Sequence, residues 1–182
     1  MRALATVLAL LPVPASAADW TMISETSRLE YVARYEGEPA PGRFHRFDVR
    51  VAFDPRRPRE GRLHVTVALA SVDMQSADIN ETIVEPPWLD VAGHPRAEFT
   101  SETITRTGDG RFVARGTLRL NGVTHELDVP FQWRRHDARA TLSGEVTVNR
   151  MDFGIGIGEW SSGRTIDLEV VVRYEVELER AT

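Results

Sequence analysis

The chain of 182 residues contains no cysteine and no lysine. Without cysteine there is no disulfide, no thiolate nucleophile, no Cys-based zinc or iron–sulfur site and no lipid-anchoring Cys. Without lysine there is no Schiff base to a carbonyl substrate and no P-loop lysine. All 22 basic residues are therefore arginine, against 27 acidic ones, for a formal net charge of −5. An acidic balance argues against a phosphate-driven nucleic-acid binder, which needs surplus cations. Long apolar runs are missing too. The longest, Ala3 to Leu11, is far short of the roughly 20 residues of a membrane span. What remains, 42% apolar and 27% charged, is the composition of an ordinary folded protein.

The first residues read as an address. Arg2 is the only charge before Asp19, and Ala3–Leu11 is followed by Pro12, Pro14 and Ala15-Ser16-Ala17-Ala18. A positive start, a short apolar core, a helix breaker and a small-residue cleavage site make a secretory signal peptide. The expected organisation is a signal peptide at 1–18, cleaved after Ala17 or Ala18, and one domain at 19–182. A domain of this size can hold a core without disulfides, so export and the absence of cysteine are compatible.

The rest reads as strands. Phe47, Val49, Val51 and Phe53 alternate with Asp48, Arg50 and Asp54. Leu63, Val65, Val67 and Leu69 repeat the pattern, as do Leu127, Val129, Phe131 and Trp133. The longest case runs through Ile166, Leu168, Val170, Val172, Tyr174, Val176 and Leu178. Period-two alternation gives one buried and one wet face, the signature of antiparallel sheet. Asn121-Gly122 between Leu120 and Val123 signals a tight hairpin with positive φ. Residues 76–95 break the alternation. Asp78 with Glu81 three residues on reads as a helix cap, and a second helical turn is expected at Trp88, Leu89 and Val91, so a short helical insert is placed near 77–93. About eight strands with one apolar face must close as a sandwich or a barrel.

Several stretches resemble one family in order and spacing. They are Trp20; Gly42 and Phe44 leading to Phe53-Asp54-Pro55; Ala70-Ser71-Val72-Asp73; Trp88-Leu89-Asp90-Val91 with His94-Pro95; Phe99-Thr100-Ser101; Gly116-Thr117-Leu118 with Gly122-Val123-Thr124; and Asn149-Arg150-Met151-Asp152-Phe153-Gly154. Together they resemble the YceI family of lipocalin-like periplasmic polyisoprenoid-binding proteins. The resemblance implies an all-β fold, an antiparallel eight-stranded lipocalin-like barrel. It implies a periplasmic binding or carrier protein, not an enzyme, holding an isoprenoid lipid or isoprenoid quinone. The run Gly154-Ile155-Gly156-Ile157-Gly158-Glu159-Trp160 is similar to the branch found with cytochrome b561-type membrane proteins, which makes such a protein a candidate partner. A homodimer is compatible with the resemblance. A secreted enzyme on a hydrophobic substrate and a filled-core stress-response protein are the competing readings.

No residues call for a cofactor or metal. The glycine run lacks the remaining features of a dinucleotide loop and reads as a bent strand or barrel corner. His45, His64, His94, His125 and His136 show no ligand spacing, and no serine sits in a nucleophile elbow. Asp73, Asp78, Glu81 and Glu85 read as a solvated face. Arg150 and Asp152 are candidates for the polar mouth, with a structural ion pair from Arg150 to a carboxylate as the plainer reading. The candidate cavity lining on the first strands is Phe47, Val49, Val51, Phe53, Val65, Val67 and Leu69. Further along it is Trp88, Phe99, Leu118, Leu120, Val129, Phe131 and Trp133. It ends with Val146, Val148, Phe153, Trp160, Leu168 and Val170. Side-chain fill and a hollow interior give the same alternation.

Overall fold

A computed structural model describes residues 18–181; the expected signal peptide, apart from Ala18, lies outside the described residues. The alternating segments form eleven strands: β1 (Asp19–Met22), β2 (Arg28–Tyr35), β3 (Glu38–Phe44), β4 (Phe47–Ala52), β5 (Arg62–Ala68), β6 (Val72–Asp73), β7 (Arg96–Gly108), β8 (Arg111–Leu120), β9 (Val123–His136), β10 (Arg139–Asn149) and β11 (Glu169–Arg180). Among the described residues one α-helix, α1 (Ala77–Ile83), and short 3-10 turns accompany them.

Eight of the strands close into an antiparallel barrel. The ring runs β1, β4, β5, β7, β8, β9, β10, β11 and returns to β1 through Trp20↔Arg180 and Met22↔Leu178. Of the sandwich and the barrel that the alternation allows, the barrel implied by the family resemblance is the one observed. The other three strands extend the sheet from β11. The upper part of β11 pairs with β2 from Val171↔Val32 to Glu175↔Arg28, β2 pairs with β3, and β3 ends on β6 at Phe44↔Val72. Pro39 and Pro41 hide β3 from a reading of alternation, because proline gives the ladder no donor.

Turn chemistry follows the residues. Asn121 and Gly122 take φ of 51° and 74°, the primed turn that right-handed strand twist favours. The insert is less helical than expected. Ser76, not Asp78, is the N-cap position, and α1 stops at Ile83. Trp88, Leu89 and Val91 lie in turns rather than a second helical turn, with Leu89 N–H donating to Ile83 O at 3.0 Å and Val91 N–H to Val84 O at 2.8 Å. Pro86 and Pro87 supply no N–H, so the helical ladder cannot run through them.

One end of the barrel is packed solid. Phe53 meets Phe112, Phe131 and Trp133 with ring centroids 5.0, 5.6 and 5.0 Å apart. Trp20 stands edge-on to Trp133 at 5.3 Å and donates its indole N–H to Phe53 O at 3.2 Å. Ile104, Ala114 and Leu178 are wholly excluded from water there. Edge-to-face contacts of this kind add to the burial of large apolar area, so this plug carries the main core.

Candidate functional site

The inward faces change character along each strand. On β11, Leu178 and Val176 are buried, but Tyr174, Val172 and Val170 are partly accessible. On β10, Ala140 and Leu142 are buried, but Val146 and Val148 are not. On β9 the same step separates Trp133 and Phe131 from Val129 and Leu127; on β8 it separates Phe112 and Ala114 from Leu118 and Leu120. Inward side chains that meet water mark the half of the barrel in which packing is looser than in the plug. The residues that line it are apolar.

Two segments cap this end. Leu89, Ile83, Val84 and Val91 of the insert pack with Ile155, Leu120, Val170 and Val172. The connection from β10 to β11 joins them, with Gly156 N–H donating to Pro87 O at 2.9 Å and Trp88 lying 5.8 Å from Trp160. Arg150 holds that connection. It is 4% exposed. Its Nε donates to Asp167 O, its Nη1 to Ile155 O and Gly156 O, and its Nη2 to Trp160 O and Ile166 O, at 2.5–2.9 Å. A guanidinium has five N–H groups, so every donor meets a carbonyl. The carboxylate partner expected of Arg150 is thus replaced by a ring of peptide oxygens, because the turn folds around the side chain. Burial lowers its pKa without removing the charge. Asp152 is exposed on the adjoining 3-10 turn, Arg150–Phe153.

The glycine run is the other half of this arrangement, and it is neither a bent strand nor a barrel corner. Gly154, Gly156 and Gly158 have φ of 64°, 72° and 74° in consecutive turns. A Cβ on Gly156 would stand 2.5 Å from Arg150 Nη1 and 2.9 Å from Trp88 Cζ3. Only glycine fits there on both counts.

Two tyrosines supply polar groups at the rim of this looser half. Tyr31 lies over Gly42 and its hydroxyl donates to Met74 Sδ at 2.7 Å. Tyr174 lies over Gly144 and its hydroxyl donates to Pro130 O. Burial pushes both phenols above their ordinary range, so both are neutral at any physiological pH.

The wall itself has a gap. β9 and β10 pair only from Arg139↔His136 to Ser143↔Gln132, although β9 starts at Val123 and β10 runs to Asn149. Pro130 ends the ladder: it has no N–H, and its carbonyl is taken by Tyr174. At the far end Asn121 Nδ2 donates to Phe153 O at 3.1 Å, and His125 meets Phe153 edge-on at 5.2 Å. Carried past its last pair, the register would set Leu127 and Val129 opposite Val148 and Val146 across the opening.

The YceI-like domain family matches residues 20–178. The chain belongs to the YceI-like family. A UPF0312 protein of Shewanella baltica (strain OS185) is 30% identical over 174 residues, covering 90% of each chain. Among solved structures, Burkholderia cenocepacia BcnA is 26% identical with a TM-score of 0.84, covering 88% of this chain and 99% of that one. A polyisoprenoid binding domain from Saccharophagus degradans, implicated in plant cell wall breakdown, shares the fold at 14% identity and a TM-score of 0.73, over 89% and 98% of the two chains.

In this YceI-like barrel the expected lining residues divide. Val49, Val51, Phe53, Phe99, Phe131 and Trp133 belong to the packed core, and Val67 and Leu69 form a smaller buried cluster with Ala97. Phe47, Val65, Leu118, Leu120, Val129, Val146, Val148, Leu168 and Val170 are partly accessible. Trp88 and Trp160 sit in the cap, and Phe153 is buried against His125. Leu29, Leu127, Val172 and Tyr174 were not among the expected lining residues, although they follow the same alternation. The acidic stretch does not act as one face: Asp73 is engaged by Arg43, His45, Asn80 and the Gln75 N–H. Among the described residues no helix is long and apolar enough to cross a membrane.

Proposed function

We propose that this YceI-like protein is a periplasmic carrier that holds the isoprenoid tail of a lipid or quinone in the accessible half of its barrel. The observation that carries the reading is the step from buried to accessible along the inward faces of β8 to β11. A core packed as tightly as the plug along its whole length would show no such step. The polyisoprenoid binding domain of S. degradans shares the fold and supports the choice of ligand class. The interior offers apolar walls and neutral phenols, which suits an uncharged chain and offers no acid–base pair to a reaction.

Energetics support carriage rather than trapping. Burial is worth about 0.8 kcal/mol per CH₂, so a tail of about 40 carbons would gain roughly 30 kcal/mol from water. That exceeds the practical ceiling of about 18–21 kcal/mol. Such a lipid starts in a bilayer, so the exchange from bilayer to barrel is close to balanced. The aromatic plug then sets how deep the tail reaches. A cytochrome b561-type membrane protein is the partner this reading supplies for a quinone.

The test is to export the protein, purify it without detergent, extract it with organic solvent and analyse the extract by mass spectrometry. A stoichiometric isoprenoid lipid or quinone is the expected result. A clean extract, unchanged after incubation with quinone-containing vesicles, refutes the carrier.

A further inference from the structure

We propose that the unpaired stretch between β9 and β10 is a lateral gate, through which the apolar chain passes sideways into the barrel. The inference rests on the carrier reading above and adds the route. Four observations converge on it.

The end of the barrel is closed by a cap in which Arg150 ties five carbonyls and Gly156 N–H is bonded to Pro87 O. The plug closes the opposite end. The accessible interior residues are also unevenly spread. Leu118, Leu120, Val129, Val146, Val148 and Val170, on the four strands around the gap, are partly accessible. On the opposite wall Phe47 and Val65 are partly accessible, but Val67, Ala97 and Phe99 are buried, Phe99 although it is paired with Leu118. Accessible inward side chains are thus concentrated on the strands that flank the gap.

The gap is also defined at both ends. Pro130, Gly144 and Tyr174 fix its lower limit: the proline withholds the donor, and the glycine leaves room for the tyrosine to cross β10 and take the free carbonyl. The 3-10 turn Arg150–Phe153 bridges its upper limit through Asn121 and His125.

The outer rim opposes closure. Continuing the ladder would set Thr147 opposite Asp128 and bring Glu145 close to it. Asp128 instead pairs with Arg115 at 2.8 Å, on the β8 side, and Glu145 with Arg173 at 3.2 Å, on the β11 side. Each carboxylate is drawn away from the gap, and like charges on facing strands disfavour pairing.

The absence of native cysteine makes the test direct. In Asp128→Cys/Thr147→Cys, a short bis-maleimide links the two edges, and the same variant capped with N-ethylmaleimide is the control. Each form is incubated with phosphatidylcholine vesicles carrying a long-chain ubiquinone, the vesicles are pelleted, and quinone in the supernatant is measured. The capped form is expected to take up quinone like the unmodified protein, and the bridged form to lose uptake. Equal uptake by the bridged and capped forms overturns the gate and leaves the carrier intact. No uptake by the unmodified protein overturns the carrier, and the gate with it.

Discussion

Replacing Arg150 by methionine removes a charge and five donors from the cap at one stroke. Methionine keeps much of the volume, so the change isolates hydrogen bonding from packing. A bond to a charged group is worth about 1.5–3 kcal/mol, and five would sum to far more than a turn can lose. The turn limits the loss, because it loosens and its carbonyls find water. The expected cost is about 3–5 kcal/mol, that of breaking one side of a buried charged network. It falls locally. The ladder between β10 and β11 does not use the side chain, so the barrel persists while residues 150–168 open. Hydrogen exchange reads this directly. The Gly156 amide on Pro87 O and the Ile155 amide on Arg150 O lose protection, whereas the amides of β8 keep theirs. Arg150→Lys recovers only part, because three donors on a point charge cannot meet five carbonyls. Unchanged protection of Gly156 in Arg150→Met would refute the assignment of Arg150 as organiser of the cap.

Other changes test the remaining claims. Phe53→Ala, in the middle of the aromatic plug, is expected to cost about 3–5 kcal/mol in urea unfolding. Val172→Trp and Val176→Trp, on the same face of β11, are expected to differ: the first leaves the urea midpoint near wild type and removes quinone uptake, and the second overpacks the core by about 1–3 kcal/mol. Equal destabilisation by the two would mean that the upper half is filled. Asp73 is held below the usual carboxylate range by the Gln75 N–H, His45, Asn80 and Arg43, in that order. Its contribution is therefore complete above the unfolded carboxyl pKa of about 3.9 and is lost as pH falls towards the lower folded value. Asp73→Asn should be less stable than wild type at neutral pH, with the two urea midpoints converging on acidification. A constant offset across that range would sink the assignment.

The strands and their two faces were legible because their signal is local, whereas the choice of barrel over sandwich came from the family resemblance. Alternation from Phe47 to Phe53 and from Leu168 to Leu178 assigns inner and outer faces without knowledge of partners. Asn121-Gly122 marked its turn for the same reason. The family was legible from the order of short motifs, none of them decisive alone. The division of the interior was not legible. Val146 and Val176 look alike in sequence, and only the three-dimensional placement of the aromatic rings puts one in the looser half and the other in a core. Arg150 was read as half of an ion pair because its partners are peptide oxygens, which no residue type reveals. The gap had faint signals, a proline at 130 in one strand and a glycine at 144 in the next, each unremarkable until they are placed side by side.

The closure of the ring joins residues at opposite ends of the described chain: Trp20 with Arg180, and Ala181 N–H with Asp19 O at 2.9 Å. During synthesis β1 can pair with β4 early, but its other edge stays open until the last strand has left the ribosome. Until then the growing chain offers unpaired strand edges and the aromatic surface of its future core. Contacts this distant along the chain are formed late and slowly, and half-built sheets of this kind are prone to aggregate. On the proposed route to the periplasm that delay is an advantage, since the chain stays threadable for as long as it is incomplete. The same proximity of the ends means that the seam can be moved. A permuted chain that joins residue 181 to residue 19 through a short linker and opens at the Gly108–Gly110 turn keeps every ladder, and would close at a different strand.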